Sequence, residues 1–244
     1  MAPMPNQAMV LAAGKGLRMR PITDKTPKPM IPINGRPLVD HALDRLTDAG
    51  VEKAVVNTHY LGEQIERHLA SRTTPTISFS PEQDLLETGG GVKKALPLLG
   101  REPFIVANSD AFWLNGPTDA LARMAAAWDA EQMDALLLLH STVEAYGYTG
   151  RGDFNCTASG LLSRRQEMEV VPWLFTGIQI LKPEVFADTP DGAFSLNHVY
   201  DQLLDAERLY GVVHDGEWFH IGTPDGLAEA EAYLNVRYAG IRHR

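Results

Sequence analysis

The chain has 244 residues, of which 44% are hydrophobic and 22% charged, the balance of a globular protein that can bury a core without disulfide or metal staples. Its formal net charge of -9 argues against general binding to nucleic acid or to an anionic membrane surface, so any anionic ligand must be met by a local cationic patch. The single cysteine, Cys156, has no partner for an internal disulfide and points to a reducing, cytoplasmic compartment. Residues 1–16 have no basic region and only a short apolar run, so no signal peptide is expected, and no run has the length of a membrane span.

In chain order, short apolar runs alternate with amphipathic ones. Residues 8–13 read as a buried strand opening into a glycine loop. Residues 36–50 read as a helix, with Leu38, Val39, Ala42, Leu43 and Leu46 on one face and Gly50 at its end. A strand follows at 53–59, a helix at 62–71, a strand at 76–80, a short helix at 89–100 behind a glycine loop, and a strand at 104–110. A helix at 118–131 and a strand at 134–140 complete this part. The alternation predicts an α/β protein with a mixed, mostly parallel sheet flanked by helices. The second half is less regular. It holds a strand at 174–183, a helix at 196–207, a strand pair at 209–215 and 217–222 around a turn at Asp215–Gly216, and a closing helix at 224–238 with Pro224 at its start. No linker, repeat or low-complexity segment appears, so 1–244 is expected to form a single domain. The basic tail 237–244 is expected to fray.

The cationic patch lies in residues 11–29, "LAAGKGLRMRPITDKTPKP", where Lys15, Arg18, Arg20, Lys25 and Lys28 face only Asp24. A dinucleotide fingerprint fails here, because position 19 is Met and no acidic residue ends the next strand at Val56–Asn57. P-loop spacing is absent. A plain tight turn remains as the simplest alternative. Small residues Ala12, Ala13, Gly14 and Gly16 let backbone N–H groups approach a phosphate. Arginine adds a bidentate fork and lysine a point charge. Pro27 and Pro29 hold Lys28 in a stiff segment, which suits a residue that must meet a reacting phosphate.

The pattern L-x-x-G-x-G-x-R-x-x-P-x-T…P-K-P resembles the signature of the sugar-1-phosphate nucleotidylyltransferases, also called NDP-sugar pyrophosphorylases. The resemblance extends over nearly the whole chain. It implies a Rossmann-like nucleotide-diphospho-sugar transferase (GT-A-like) fold, and a reaction in which a nucleoside triphosphate and a sugar 1-phosphate give an NDP-sugar and pyrophosphate. It divides the chain into a nucleotide-binding half, about 1–140, and a sugar-binding half, about 141–244. It implies that Leu11, Ala12, Ala13, Gly14, Lys15 and Gly16 cradle the nucleotide, that Arg18 grips the triphosphate and the leaving pyrophosphate, and that Lys28 contacts phosphate near the reacting centre.

Asp110, ending "ANSD", matches the magnesium aspartate of such enzymes; a turn or N-cap aspartate is the alternative. Asn108 is expected to face nucleotide or sugar. Thr88 and Gly89 in "ETGGG" match a second glycine loop against base and ribose, although three glycines could be only a flexible loop. Glu82 could accept a base N–H or be a solvated surface glutamate. Gly152 and Asp153, with Thr176 and Gly177, match sugar-side motifs; Asp153 could equally be a turn residue.

Two departures stand out. Many relatives carry Glu-Lys-Pro before the later strand, where this chain has "RRQEMEVVPW" (164–173). That resembles the compact subgroup acting on N-acetylmuramate 1-phosphate with UTP, or on heptose 1-phosphates with GTP; guanylyl transfer to mannose 1-phosphate is a further alternative. In "EWFHIGTP" (217–224), His220 stands where the family has a second metal-binding aspartate. Imidazole suits softer metals than Mg2+. His220 is therefore expected to touch the metal, directly or through water, with Mn2+ or Co2+ supporting activity beside Mg2+; alternatively it is only a polar site residue. The remaining histidines show no ligand spacing, and the four tryptophans read as core or pocket walls. The expected partners are a nucleoside triphosphate and a sugar 1-phosphate, with no nucleic acid and no membrane, for a monomer or homodimer. A non-catalytic nucleotide-sugar-binding subunit is the rival class, against which Arg18, Lys28 and Asp110 argue together.

Overall fold

The computed structural model describes residues 4–238; the tail beyond Tyr238 lies outside them. Strand β1 (Gln7–Leu11) has Ala8, Met9 and Val10 fully buried and ends in the signature stretch, which is folded as three short 3-10 turns (Leu17–Met19, Ile22–Asp24, Lys28–Met30). A small ribbon of β2 (Pro32–Ile33) and β3 (Arg36–Pro37) leads into α1 (Leu38–Asp48), whose buried face is Leu38, Val39, Ala42, Leu43 and Leu46 as its spacing predicts. Then come β4 (Lys53–Thr58), α2 (Gly62–Leu69), β5 (Thr76–Pro81), α3 (Glu87–Leu99), β6 (Phe104–Asn108) and β7 (Phe112–Leu114). Helix α4 (Ala120–Ala127), β8 (Ala135–Ser141), β9 (Phe154–Cys156), β10 (Leu162–Arg164) and β11 (Trp173–Leu181) follow. The chain closes with α5 (Asn197–Asp205), β12 (Leu209–Val213), β13 (Glu217–Phe219) and α6 (Pro224–Tyr238).

The main sheet is mixed. Strands β6, β1, β4 and β5 form a parallel block, with Met9 opposite both Val55 and Val106. Long β11 runs antiparallel between β6 and β8, and β12 is parallel to β8. Strands from both halves of the chain thus share one sheet. One core cluster packs α1, α2 and α4 on one face and includes Leu43, Ile65 and Met124; another packs α3 and α5 on the opposite face and includes Val92, Phe104 and Val199. Among the described residues no helix is long and apolar enough to cross a membrane.

Three expectations are corrected. The glycines at 89–91 are not a loop, because α3 already starts at Glu87. Gly89 and Gly90 donate their N–H groups to the Phe194 carbonyl at 2.8 and 3.1 Å, and a Cβ at 89 would sit 2.4 Å from the Phe194 ring. These glycines exist for a close crossing of chain segments that local pattern does not show. Second, 209–215 and 217–222 do not pair with each other. Strand β12 joins the main sheet beside β8, whereas β13 pairs antiparallel with β7. Third, the helix expected at 118–131 is only α4: Asp119 caps its start by accepting from Ala122 N at 2.9 Å, and Trp128 leaves it extended to enter the core. Strands β7, β9 and β10 were too short to leave a periodic signal.

Candidate active site

The carboxyl ends of β1, β4 and β6 open onto a cleft of about 970 Å³, the place where open α/β sheets bind ligands. Leu11, Ala12, Ala13, Gly14, Gly16 and Lys28 line one side, Leu85, Glu87 and Thr88 the other, with Asn108 and Asp110 at the end of β6. A second pocket of about 690 Å³ continues from the first. Asn108 and Asp110 belong to both. Its walls include Arg18, Asp153, Thr176, Gly177 and His220, together with Tyr148, Phe175 and Trp218. The antiparallel pairing of β7 with β13 brings His220 to this pocket from 110 residues further along the chain, because Phe112 lies opposite Phe219.

Not every expected residue reaches the cavities. Lys15 is exposed and lines neither. Gly89 is spent on packing against Phe194, and Thr88 Oγ1 accepts from Leu196 N at 2.9 Å while its residue still lines the cleft. Glu82 is neither a surface residue nor a cleft-lining one. It is 6% exposed, and its carboxylate accepts from Asn57 Nδ2 at 2.6 Å and Leu86 N at 2.9 Å. Gly152 is buried beside the second pocket and donates to the Tyr148 hydroxyl at 3.1 Å. Asp153 spends one oxygen on Phe175 N at 2.8 Å. The Thr176 hydroxyl donates to the Leu138 carbonyl at 2.8 Å and is thereby committed to the sheet. Gly177 has φ +89°, and a Cβ there would meet Asn108 Nδ2 at 2.7 Å, so this position needs glycine on two counts.

At the junction of the pockets, Lys28 Nζ is ion-paired with Asp110 Oδ2, both side chains half-buried. The His220 ring lies edge-on to Tyr148 and beside Trp218, with centroids 6.0 and 5.9 Å away. Burial pulls the His220 pKa below its ordinary value; the positive charges of Arg18 and Lys28 act in the same direction, and Asp110 opposes them. The imidazole is therefore held neutral, the form that can ligate a metal. Burial, and then the charge of Asp153, raise the Tyr148 pKa, so its hydroxyl stays protonated.

Among the described residues no three His, Cys, Asp or Glu side chains gather into a self-sufficient metal site. One carboxylate and one neutral imidazole on a shared pocket fit a divalent cation that takes its other ligands from phosphate and water. Sequence reading missed Asn57 and Tyr148, and it leaves open which of the four tryptophans is a pocket wall; Trp218 is one. Asn57 lies one residue before the end of β4, opposite Leu11 of β1, so its place near the carboxyl end of a strand is a positional signal like that of Asp110 just beyond β6. Tyr148 carried none, because only the turn between β8 and β9 brings it to the pocket, and the place of Trp218 depends on the β7–β13 pairing.

Two cavities meet at one carboxylate, over the strand ends of an α/β sheet and beside a cationic small-residue loop, an arrangement suited to holding two anionic ligands side by side. The particular assignment comes from the comparison with known families. The Nucleotidyl transferase family model matches residues 7–236, and the chain belongs to this family. It is 45% identical over 239 residues to an N-acetylmuramate alpha-1-phosphate uridylyltransferase of Caulobacter vibrioides, covering 96% of this chain and 99% of that protein. A protein of the same description from Neisseria meningitidis is 38% identical over 231 residues, covering 93% and 97%. Among solved structures, UDP-glucose pyrophosphorylase complexed with UDP-glucose shares the fold, with a TM-score of 0.78 at 19% identity over 97% of this chain and 100% of that one. A putative glucose-1-phosphate thymidylyltransferase from Bacillus anthracis gives 0.77 at 19% identity, over 93% and 94%.

Proposed function

We propose that the enzyme transfers the uridylyl group of UTP to N-acetylmuramate 1-phosphate in the cytoplasm, releasing pyrophosphate. The observation that carries the chemistry is the meeting of the two pockets at Asn108 and Asp110. The choice of substrates rests on similarity to the two uridylyltransferases over nearly their whole length.

In this reading the triphosphate lies along residues 11–16, the base toward Leu85–Thr88, and the sugar phosphate in the second pocket. A phosphate oxygen of the sugar phosphate attacks the α-phosphorus in line. The new P–O bond forms as the bond from the α-phosphorus to the oxygen bridging to the β-phosphate breaks, and the electron pair leaves with pyrophosphate. No enzyme nucleophile is needed, so catalysis consists of alignment and charge neutralisation. Lys28 exchanges its Asp110 partner for phosphate, and Arg18 stabilises the leaving group. Asp110 and His220 would hold a divalent cation, Mg2+ with Mn2+ or Co2+ as alternatives; bound there it would neutralise charge on the phosphates. Asp153 and Gly177 shape the sugar side. Tyr148 and Trp218 give the second pocket the aromatic walls against which a sugar packs.

The test is pyrophosphate release from each of several nucleoside triphosphates paired with each of several sugar 1-phosphates, with magnesium or manganese. Release is expected with UTP and N-acetylmuramate 1-phosphate above all other pairs. Preference for GTP with a mannose or heptose phosphate would replace the substrate assignment. Asp110→Ala should abolish metal-dependent turnover.

A further inference from the structure

A run of buried hydrogen bonds beneath the cleft ties its two sides together. Ala12 N–H donates to Asn57 Oδ1 at 2.7 Å, Asn57 Nδ2 donates to Glu82 Oε1 at 2.6 Å, and Leu86 N–H donates to Glu82 Oε2 at 2.9 Å. Ala12 belongs to the loop after β1, and Leu86 immediately precedes α3. Asn57 is 2% exposed and Glu82 6%. The backbone of Glu82 is held as well, by its N–H to the Thr58 carbonyl at 2.8 Å and its carbonyl to His59 Nδ1 at 3.0 Å. There is no slack around the pair: a Cβ at Gly91 would lie 2.8 Å from Glu82 Oε1 and 2.9 Å from Asn57 Nδ2.

The run has a fixed polarity. Two backbone donors, Ala12 N–H and Leu86 N–H, point into it from opposite ends. The two side chains between them must offer an acceptor to each end and one donor–acceptor contact to each other. An amide on one side and a carboxylate on the other satisfy every atom. Two amides do not, since donor then faces donor in a buried site; two carboxyl groups do so only by taking up a proton and sharing it.

We propose that Glu82 and Asn57 are positioning residues for nucleotide recognition. They set the distance between the phosphate loop at Ala12 and the base-side wall at Leu85–Thr88, and Glu82 does so without touching the base. The inference rests on the reading of the cleft as a nucleoside triphosphate site. Its effect falls on the nucleotide, since none of the four residues lines the second pocket.

A polarity swap tests it. Glu82→Gln alone sets two amides together, and Asn57→Asp alone sets two carboxylates together. Glu82→Gln should weaken equilibrium binding of UTP, and raise its KM, by about tenfold, the cost of one buried group left without a partner; Asn57→Asp should do so at alkaline pH and recover as the pH falls and the carboxyl pair takes up a proton. The KM for the sugar 1-phosphate should stay within about twofold. The double variant Asn57→Asp/Glu82→Gln restores an amide–carboxylate pair and keeps the net charge, so UTP affinity should return to within about threefold of wild type. A merely structural lesion would not be repaired in that pattern. If Glu82 reads the base, the double variant will bind UTP as weakly as Glu82→Gln and its preference among UTP, CTP and GTP will shift; that result overturns the proposal, as do single variants with wild-type affinity at alkaline pH. Should both single variants fold poorly, the affinity of the double variant decides alone. A wild-type protein that binds no nucleoside triphosphate overturns the reading of the cleft itself, and this inference with it.

Discussion

Lys28 and Asp110 are ion-paired across 82 residues of sequence, at the boundary between the two pockets. The contact joins the stiff segment after the signature turns to the end of β6. It also supplies each charge with a partner before any phosphate arrives. Under the proposed mechanism, replacing Lys28 by Ala removes a cation from the place where charge builds during transfer. kcat should fall roughly 100-fold or more, in the range seen for lost charged transition-state contacts, and Arg18→Ala should do the same. Steady-state pyrophosphate release measures both.

His220 is set among Asp110, Arg18 and Lys28, and is held neutral by burial and by those two cations. A neutral nitrogen ligand favours Mn2+ or Co2+ over Mg2+ more than a carboxylate would. Rates of the wild type with the three ions should therefore differ from those of His220→Asp, whose profile should move toward Mg2+. Identical profiles would remove His220 from the metal.

Gly177 approaches Asn108 so closely that no side chain fits, and its φ of +89° adds backbone strain for any other residue. Gly177→Ala should cost about 1–3 kcal/mol locally and push Asn108 out of the junction. With Asn108 displaced from the junction of the pockets, kcat/KM for the sugar 1-phosphate should fall by roughly tenfold, the size expected for one lost orienting contact. Kinetics at saturating nucleotide, with circular dichroism to confirm the fold, would check it; unchanged kinetics would show that Asn108 contributes nothing there.

Stability should depend on pH through His140 and His214, buried with ring centroids 5.8 Å apart. Burial lowers both pKa values below 6.5. Glu144 opposes it at His140; at His214 the neighbouring His140 adds to it, while the Leu114 and Glu217 carbonyls and Asp215 oppose it. The native state therefore holds these rings neutral while the unfolded chain protonates near pH 6.5. The stabilisation is fully present above about pH 6.5 and is lost as pH falls below it, by up to about 1.4 kcal/mol per pH unit for each ring. Melting temperatures measured from about pH 5 to 8 should drop on the acid side, and less steeply in His140→Gln. Parallel curves for the two proteins would assign the acid sensitivity elsewhere.

Much of this was legible in sequence because it is local. The strand at 8–13, the helix over Leu38–Leu46 and the parallel block follow from apolar spacing, which a single segment carries in full. The clustering of Arg18 and Lys28 beside small residues is likewise a property of nineteen consecutive positions. The failures share a cause. The glycines of α3 look like a loop until Phe194 is seen lying on them, and β12 and β13 look like a hairpin until each is seen to have a better partner in β8 and β7.

The sequence by itself determined the class of fold and the cationic, small-residue character of the loop after β1, since periodicity and charge are written in neighbouring residues. Only the tertiary structure decided which residues share a cavity. It made Tyr148 and Trp218 walls of the second pocket, and drew Glu82 off the surface into a buried bond with Asn57. Those outcomes depend on which strand edges pair and which buried donors find acceptors, and such choices are settled by competition among segments far apart in the chain.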